Sequence, residues 1–282
     1  MNKQVLLLCA LALFLAVGCG EDKGSAEAKR FETSKNLDSG SYQAVLNDPN
    51  ANATDYAAAA MGEAGLDPVS LIQAMNEVSR CAQTPTPSDC TTTTTDDLGT
   101  VTNLPLDPAA LDELQTAKDK LAAELAANPT DPDLNFQMTL TSLTSTLTAL
   151  AQVGQTNSSD SLLTGFDPTD GISTTEADAL GTFLSNPANQ TVTVNADVNG
   201  DGAINSSDTL VTLIANDVAN IVNTVPNANL GAGSDLNTVL TDATQGSGSI
   251  DYNNNGTITS TDITQYLNCV LGTGISGQGG CL

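Results

Sequence analysis

Over most of this chain apolar residues recur at intervals of three and four, the period of a helix that turns one face to a core. "LDPAALDELQTAKDKLAAELAANP", residues 106–129, reads as one amphipathic helix, and "DPDLNFQMTLTSLTSTLTALAQVG", residues 131–154, as another. The second carries Leu140, Leu143, Leu147 and Leu150 along one stripe. Its many threonines are poor helix formers, so packing has to support it. Nearer the start, "SYQAVLNDPNANATDYAAAAMGEAG" reads as helix, turn, helix, broken at Asp48-Pro49, with Thr54 as the cap of the second helix. "LDPVSLIQAMNEVSR" follows as a third helix with Pro68 in its first turn. "STTEADALGTFLSN" is shorter and opens on a capping box from Ser173 to Glu176.

Three stretches break this rhythm. The polar run 20–36 reads as a tether, and "CAQTPTPSDCTTTTTDD", residues 81–97, has too few apolar residues to bury. "NQTVTVN", residues 189–195, alternates at every second position instead. That alternation leads into "DVNGDGAINSSD", residues 197–208, which crowds three aspartates and two asparagines into twelve positions.

Their spacing matches a twelve-residue calcium loop, in which oxygen ligands come from places 1, 3, 5, 7, 9 and 12 and a glycine at place 6 makes the bend. Here those places hold Asp197, Asn199, Asp201, Ala203 (through its backbone carbonyl), Asn205 and Asp208, with Gly202 at 6 and Ile204 at 8. "DYNNNGTITSTD", residues 251–262, repeats the pattern with Asp251, Asn253, Asn255, the Thr257 carbonyl, Thr259 and Asp262, with Gly256 at 6 and Ile258 at 8. Two copies predict two calcium ions. Leu210, Leu213, Ile214, Val218 and Ile221 follow the first loop at helical spacing, and Ile263, Tyr266, Leu267, Val270 and Leu271 follow the second. Neither loop has a helical pattern before it, so each unit is loop then helix, unlike an EF-hand. Ile204 and Ile258 are expected to pair between the loops, and loss of calcium to loosen the chain from about 195 onward.

"DVNGDGAINSSDTLVTLIA" and "DYNNNGTITSTDITQYL" resemble the paired repeats of a type I dockerin, a family that also places aspartate at place 12. The resemblance implies two bound calcium ions and docking on a cohesin module through places 10 and 11, here Ser206 and Ser207, then Ser260 and Thr261. The chain departs from the family in the long insert between the loops and in Leu213, Ile214, Leu267 and Asn268, which stand where dockerins carry basic residues. A looser likeness, "GSYQAVL…DP…YAAAAMGEAG", is similar to one tetratricopeptide-like hairpin; a plain helical bundle explains the same residues.

The expected fold is therefore mainly α: a helical N-terminal domain plus a dockerin-like module of two calcium loop–helix units. The organisation read from the sequence is a signal peptide over 1–18, a flexible tether over 19–36 and a helical hairpin region over 37–80. A Thr/Pro-rich linker over 81–105, a helical region over 106–190 and the dockerin-like module over 191–282 complete it.

Chemistry narrows the setting. A short basic head and an apolar run from Val5 to Val17 precede "AVGC", which resembles a bacterial lipobox and makes Cys19 the lipidated residue of an envelope lipoprotein, at the outer membrane by the residue that follows it. Of the remaining cysteines, four stand in two near pairs, and an oxidising compartment favours Cys81–Cys90 and Cys269–Cys281 among the three pairings that four cysteines allow. Eight lysines and arginines against 33 aspartates and glutamates leave a formal net charge of −25, which excludes nucleic acid as a partner and favours cations. The expected partners are the membrane, through the lipid anchor, and a cohesin-like or other envelope protein. With no histidine and no tryptophan, the chain is not expected to be an enzyme.

Overall fold

The computed structural model describes residues 26–66, 105–167, 174–184 and 186–228. Across them the chain is mainly α. The described residues contain no strand, only an isolated antiparallel bridge between Thr193 and Thr209.

Helix α1 runs Ala26–Asp38. It corrects the expectation of a flexible tether over residues 26–36: no glycine or proline interrupts it, and its alanine, glutamate, lysine and arginine residues are strong helix formers in spite of their polarity. The hairpin that follows is formed by α2, Tyr42–Leu46, and α3, Ala53–Glu63. Its second helix is capped by Asn52, whose Oδ1 accepts the Asp55 N–H at 2.7 Å. Thr54, expected as the cap, lies inside the first turn and donates its hydroxyl to Asn52 Oδ1 instead. Asparagine is among the best N-caps, and it comes first along the chain. A Cβ on Gly62 would overlap the Tyr42 ring, so the close approach of α2 and α3 depends on that glycine.

A 3₁₀ turn, Pro108–Ala110, leads into α4, Leu111–Ala127, and α5 runs Pro132–Thr156. Both starts use an Asp-Pro pair. Asp107 accepts the Ala109 N–H, and Asp131 accepts those of Asp133 and Leu134, while proline fills a position whose own N–H has no helical partner. Then come α6, Thr174–Leu184, α7, Pro187–Gln190, and α8, Leu210–Thr224. Glu176 of α6 accepts the Asp167 N–H at 3.0 Å; Ser173, the other member of the expected capping box, lies outside the described residues.

Helix α5 is the centre, with α3, α4 and α8 packed around it. Thr139 of α5 bonds Thr224 of α8, and Thr146 bonds Asp217, so the two helices run antiparallel. One core joins Tyr56, Ala60 and Met61 of α3 to Leu114 and Leu121 of α4 and Leu134, Met138 and Leu140 of α5. A second joins Leu111, Ala149 and Val153 to Phe166, Phe183, Val194, Val198, Leu210, Leu213 and Val218. The expected stripe of α8, Leu210, Leu213, Ile214, Val218 and Ile221, is buried throughout.

The stripe of α5 comes out differently. Leu140 is buried, but Leu143, Leu147 and Leu150 are only partly so. Wholly enclosed beside Leu140, Ala149 and Ala151 are the hydroxyl residues Thr139, Thr141, Ser142, Thr144, Ser145 and Thr148. A helix with neighbours on several sides needs small side chains where the others come close, and a hydroxyl can return to its own helix. Thr139 and Thr141 do so, donating to the carbonyls of Asn135 and Gln137.

Between the two cores lies an ion pair. Lys118 of α4 and Asp217 of α8 are 3% and 0% exposed and in direct contact. Lys118 Nζ also donates to Ser145 Oγ at 2.9 Å, and Thr146 Oγ1 to Asp217 Oδ2 at 3.1 Å. Burial pushes the Asp217 carboxyl above its ordinary range, while the Lys118 ammonium pulls it back down.

Candidate metal centre

The first loop lies on the second core. Val194, Ala196 and Val198 are all buried, so the two-residue alternation before the loop is realised as one apolar face. Val194 N donates to Asp208 O, and Leu210 N to Val192 O, at 2.8 and 2.9 Å. These bonds flank the Thr193–Thr209 bridge and close the base of the loop. Two side chains of the helical body reach the incoming limb. Gln152 Oε1 of α5 accepts the Asn195 N–H at 3.0 Å, and Asn216 Nδ2 of α8 donates to Val198 O at 3.1 Å.

Inside the loop, the carboxylates gather backbone N–H groups. Asp197 accepts from Gly200 and Asp201 on one oxygen and from Gly202 on the other, at 2.7 to 3.1 Å. Gly202 has φ +86°, a conformation nearly confined to glycine, and this turns its N–H toward Asp197. Asp201 accepts the Ala203 N–H on one oxygen and the amide groups of Asn199 and Asn205 on the other. The Asn205 amide, with the Ala203 N–H next, holds the Asp201 carboxyl below the ordinary carboxylate range. Asp208 is 0% exposed, and it accepts from Val198, Asn199 and Asn205.

Every side chain expected to hold the first ion is thus in one loop, and the donors are oxygens of the hard kind that calcium takes. Asn205 Nδ2 stands between Asp201 Oδ2 and the Ala203 carbonyl, at 2.9 Å from each, so an amide donor bridges two of the expected ligand oxygens. Among the described residues no three Asp, Glu or Cys side chains are grouped as a metal cluster. The reason is local: Asp197 is turned onto the N–H groups of residues 200–202, and Asp208 onto those of Val198, Asn199 and Asn205. The donor set fits a hard cation, and its admission requires the Asn205 amide to turn away.

Ser206 and Ser207 are exposed at the rim, and Ile204 is 45% exposed. The second loop, with Asp251, Asn253, Asn255, Thr257, Thr259 and Asp262, lies outside the described residues, as do Ile258, Ser260 and Thr261. So do Cys19, Cys81, Cys90, Cys269 and Cys281.

Loop spacing carries no hint of Gln152 or Asn216. Lys118 and Asp217 did leave a trace, since each is a charged residue within an apolar helical stripe. A surface cleft of about 500 Å³ lies where α4 turns into α5, lined by Glu124, Asp131, Asp133 and Phe136 among others. Two of its carboxylates are already engaged, Glu124 with the Ala53 N–H and Asp131 as the cap of α5. Among the described residues no helix is long and apolar enough to cross a membrane. No family model matches this chain, and no similar curated protein or solved structure was found.

Proposed function

We propose that this protein is a lipid-anchored envelope protein whose dockerin-like loops bind calcium, and that the ion serves to hold the loop and α8 against the helical body. The observation that carries this reading is Asp208. A carboxylate with no exposure, whose partners among the described residues are all backbone N–H groups, closes the far end of a loop whose other ligand places are all oxygen donors. Burying a carboxylate without a cation is costly, and a divalent ion beside it supplies the opposite charge. The burial of α8 against α5 supports a stabilising role: the face of that helix is already occupied within the chain.

A second reading, in which the module docks on a cohesin-like or other envelope protein, is favoured by the exposure of Ile204, Ser206 and Ser207. Calorimetry with calcium on the mature chain tests the main proposal. The first loop offers three carboxylates and the second two, so Asp197→Ala should remove the tighter binding event and Asp251→Ala the weaker. Absence of any calcium-dependent heat would end it. Binding assays from envelope extract, with Ser206→Arg and Ser207→Arg variants as controls, test the second reading. The lipid anchor predicts that Cys19→Ala releases the protein from the membrane fraction.

A further inference from the structure

We propose that Gln152 of α5 and Asn216 of α8 are positioning residues for the first ligand, Asp197, taking the place of the incoming helix that an EF-hand uses for the same purpose. The inference rests on the calcium reading above for its consequence, but its geometry stands independently of the metal.

In a helix–loop–helix site, the first ligand leaves the end of a helix, and that helix sets its direction. Here residues 191–196, just ahead of Asp197, form neither helix nor strand; the Thr193–Thr209 bridge and the Val194 N–H bond to the Asp208 carbonyl pin them three to four residues upstream. Between that bridge and the first turn of the loop, the backbone is held from two sides. Gln152 receives the N–H of Asn195, and Asn216 donates to the carbonyl of Val198, so the two bonds bracket Asp197 two residues before and one after. Each bond has a polarity fixed by the backbone. A backbone N–H can only donate, so position 152 must present an acceptor. A backbone carbonyl can only accept, so position 216 must present a donor. The two side chains come from different helices, both rooted in the second core: α5 through Ala149 and Val153, and α8 through Leu213 and Val218. The loop's first ligand is thereby referred to the α5–α8 interface. Outer groups that orient a metal ligand in this way commonly change metal affinity by about ten- to a hundredfold when removed.

The polarity supplies the test. Gln152→Glu keeps an acceptor facing Asn195 N–H, whereas Asn216→Asp puts a carboxylate against the Val198 carbonyl and loses the donor. Both substitutions add one negative charge near the loop. Electrostatic attraction alone would therefore strengthen calcium binding in both. The clamp predicts divergence: Gln152→Glu binds as tightly as the parent or more tightly, Asn216→Asp binds about tenfold more weakly, and Gln152→Ala weakens binding as well. The measurement is calcium titration calorimetry on the full mature chain carrying Asp251→Ala and Asp262→Ala, so that the first loop alone is read. Equal shifts in the two charge-adding variants would overturn the proposal.

Amide hydrogen exchange in chelator supplies the second arm, free of any metal. Asn216→Asp and Gln152→Ala should speed exchange at Gly200, Asp201 and Gly202, whose N–H groups are held by Asp197, while leaving the helical amides of α4 unchanged. Unchanged protection of those three amides would overturn the clamp. If the parent takes up no calcium, the calcium reading falls and the exchange arm still decides whether the two side chains position Asp197.

Discussion

Asp201 shows how much of the loop's chemistry lies in single hydrogen bonds. Its carboxyl is held below the ordinary range by the Asn205 amide and the Ala203 N–H, both of which favour the charged form. A carboxyl whose folded value lies below its unfolded value adds stability that is present above the unfolded value and is lost as pH falls through the folded one. In calcium-free protein the loop should therefore weaken below about pH 4, the ordinary aspartate value. Asp201→Asn should flatten that acid limb, as read by denaturant melts between neutral and acid pH. A variant with the parent's acid limb would show that Asp201 takes no part in it.

At the scale of helices, the polar residues inside α5 make opposite predictions according to their partners. Thr144 and Thr148 are enclosed, and among the described residues their hydroxyls have no hydrogen-bond partner. Thr139 bonds the Asn135 carbonyl and Thr224. Thr148→Val should raise stability by about 1 kcal/mol, because it removes a hydroxyl that lost its water on folding and gained nothing in return. Thr139→Val should lower stability by about 1 kcal/mol. The same melts compare them, and loss of stability in both would contradict the assignment of partners. The pair Lys118–Asp217 ties α4 to α8. Lys118→Met leaves a buried carboxylate without its cation and should cost about 3–5 kcal/mol at neutral pH, while Lys118→Met with Asp217→Leu should recover most of the loss. Without the lysine, the strongest influence opposing burial at Asp217 is gone, the Ser145 and Thr146 hydroxyls alone are left to oppose it, and its folded value rises further. The folded state then holds the proton more tightly than the unfolded chain, so stability lost at neutral pH returns as pH falls. A Lys118→Met deficit that is the same at pH 5 and pH 7 would contradict this account.

For the molecule as a whole, the shared core changes what calcium removal should do. Loop spacing suggested that loosening would start at about residue 195. Yet Val194, Val198 and Leu210 share one core with Leu111, Ala149 and Val153, and Gln152 holds the incoming limb. Chelation should therefore lower protection in the C-terminal half of α5 together with α8, leaving α2 and α3 protected in their own core with Leu114 and Leu121. Hydrogen exchange with and without chelator checks this; loosening confined to the residues after 195 would restore the simpler picture. The formal net charge of −25 acts in the same direction, since a cation bound anywhere on so acidic a chain also relieves its self-repulsion.

The pattern of apolar positions was enough to read α4, α5 and α8 and the buried stripe of α8, because a 3.6-residue period leaves little other use for such spacing. The bend of the first loop was equally legible, since Gly202 and the carboxylates around it are neighbours in the chain. Lys118 and Asp217 were half legible: each interrupts an apolar stripe, but only packing brings them together. What tertiary structure alone decided was which face of α5 would be enclosed. With neighbours crowding it, the enclosed face includes small hydroxyl side chains beside Leu140, while Leu143, Leu147 and Leu150 of the expected stripe are only partly buried. It also decided what holds the backbone at Asn195 and Val198, on either side of Asp197, because Gln152 and Asn216 lie far from the loop or beyond it in sequence and meet it only where α5 and α8 pack. Local chemistry is written in local order; the groups that aim it come from helices whose relative placement depends on the whole core.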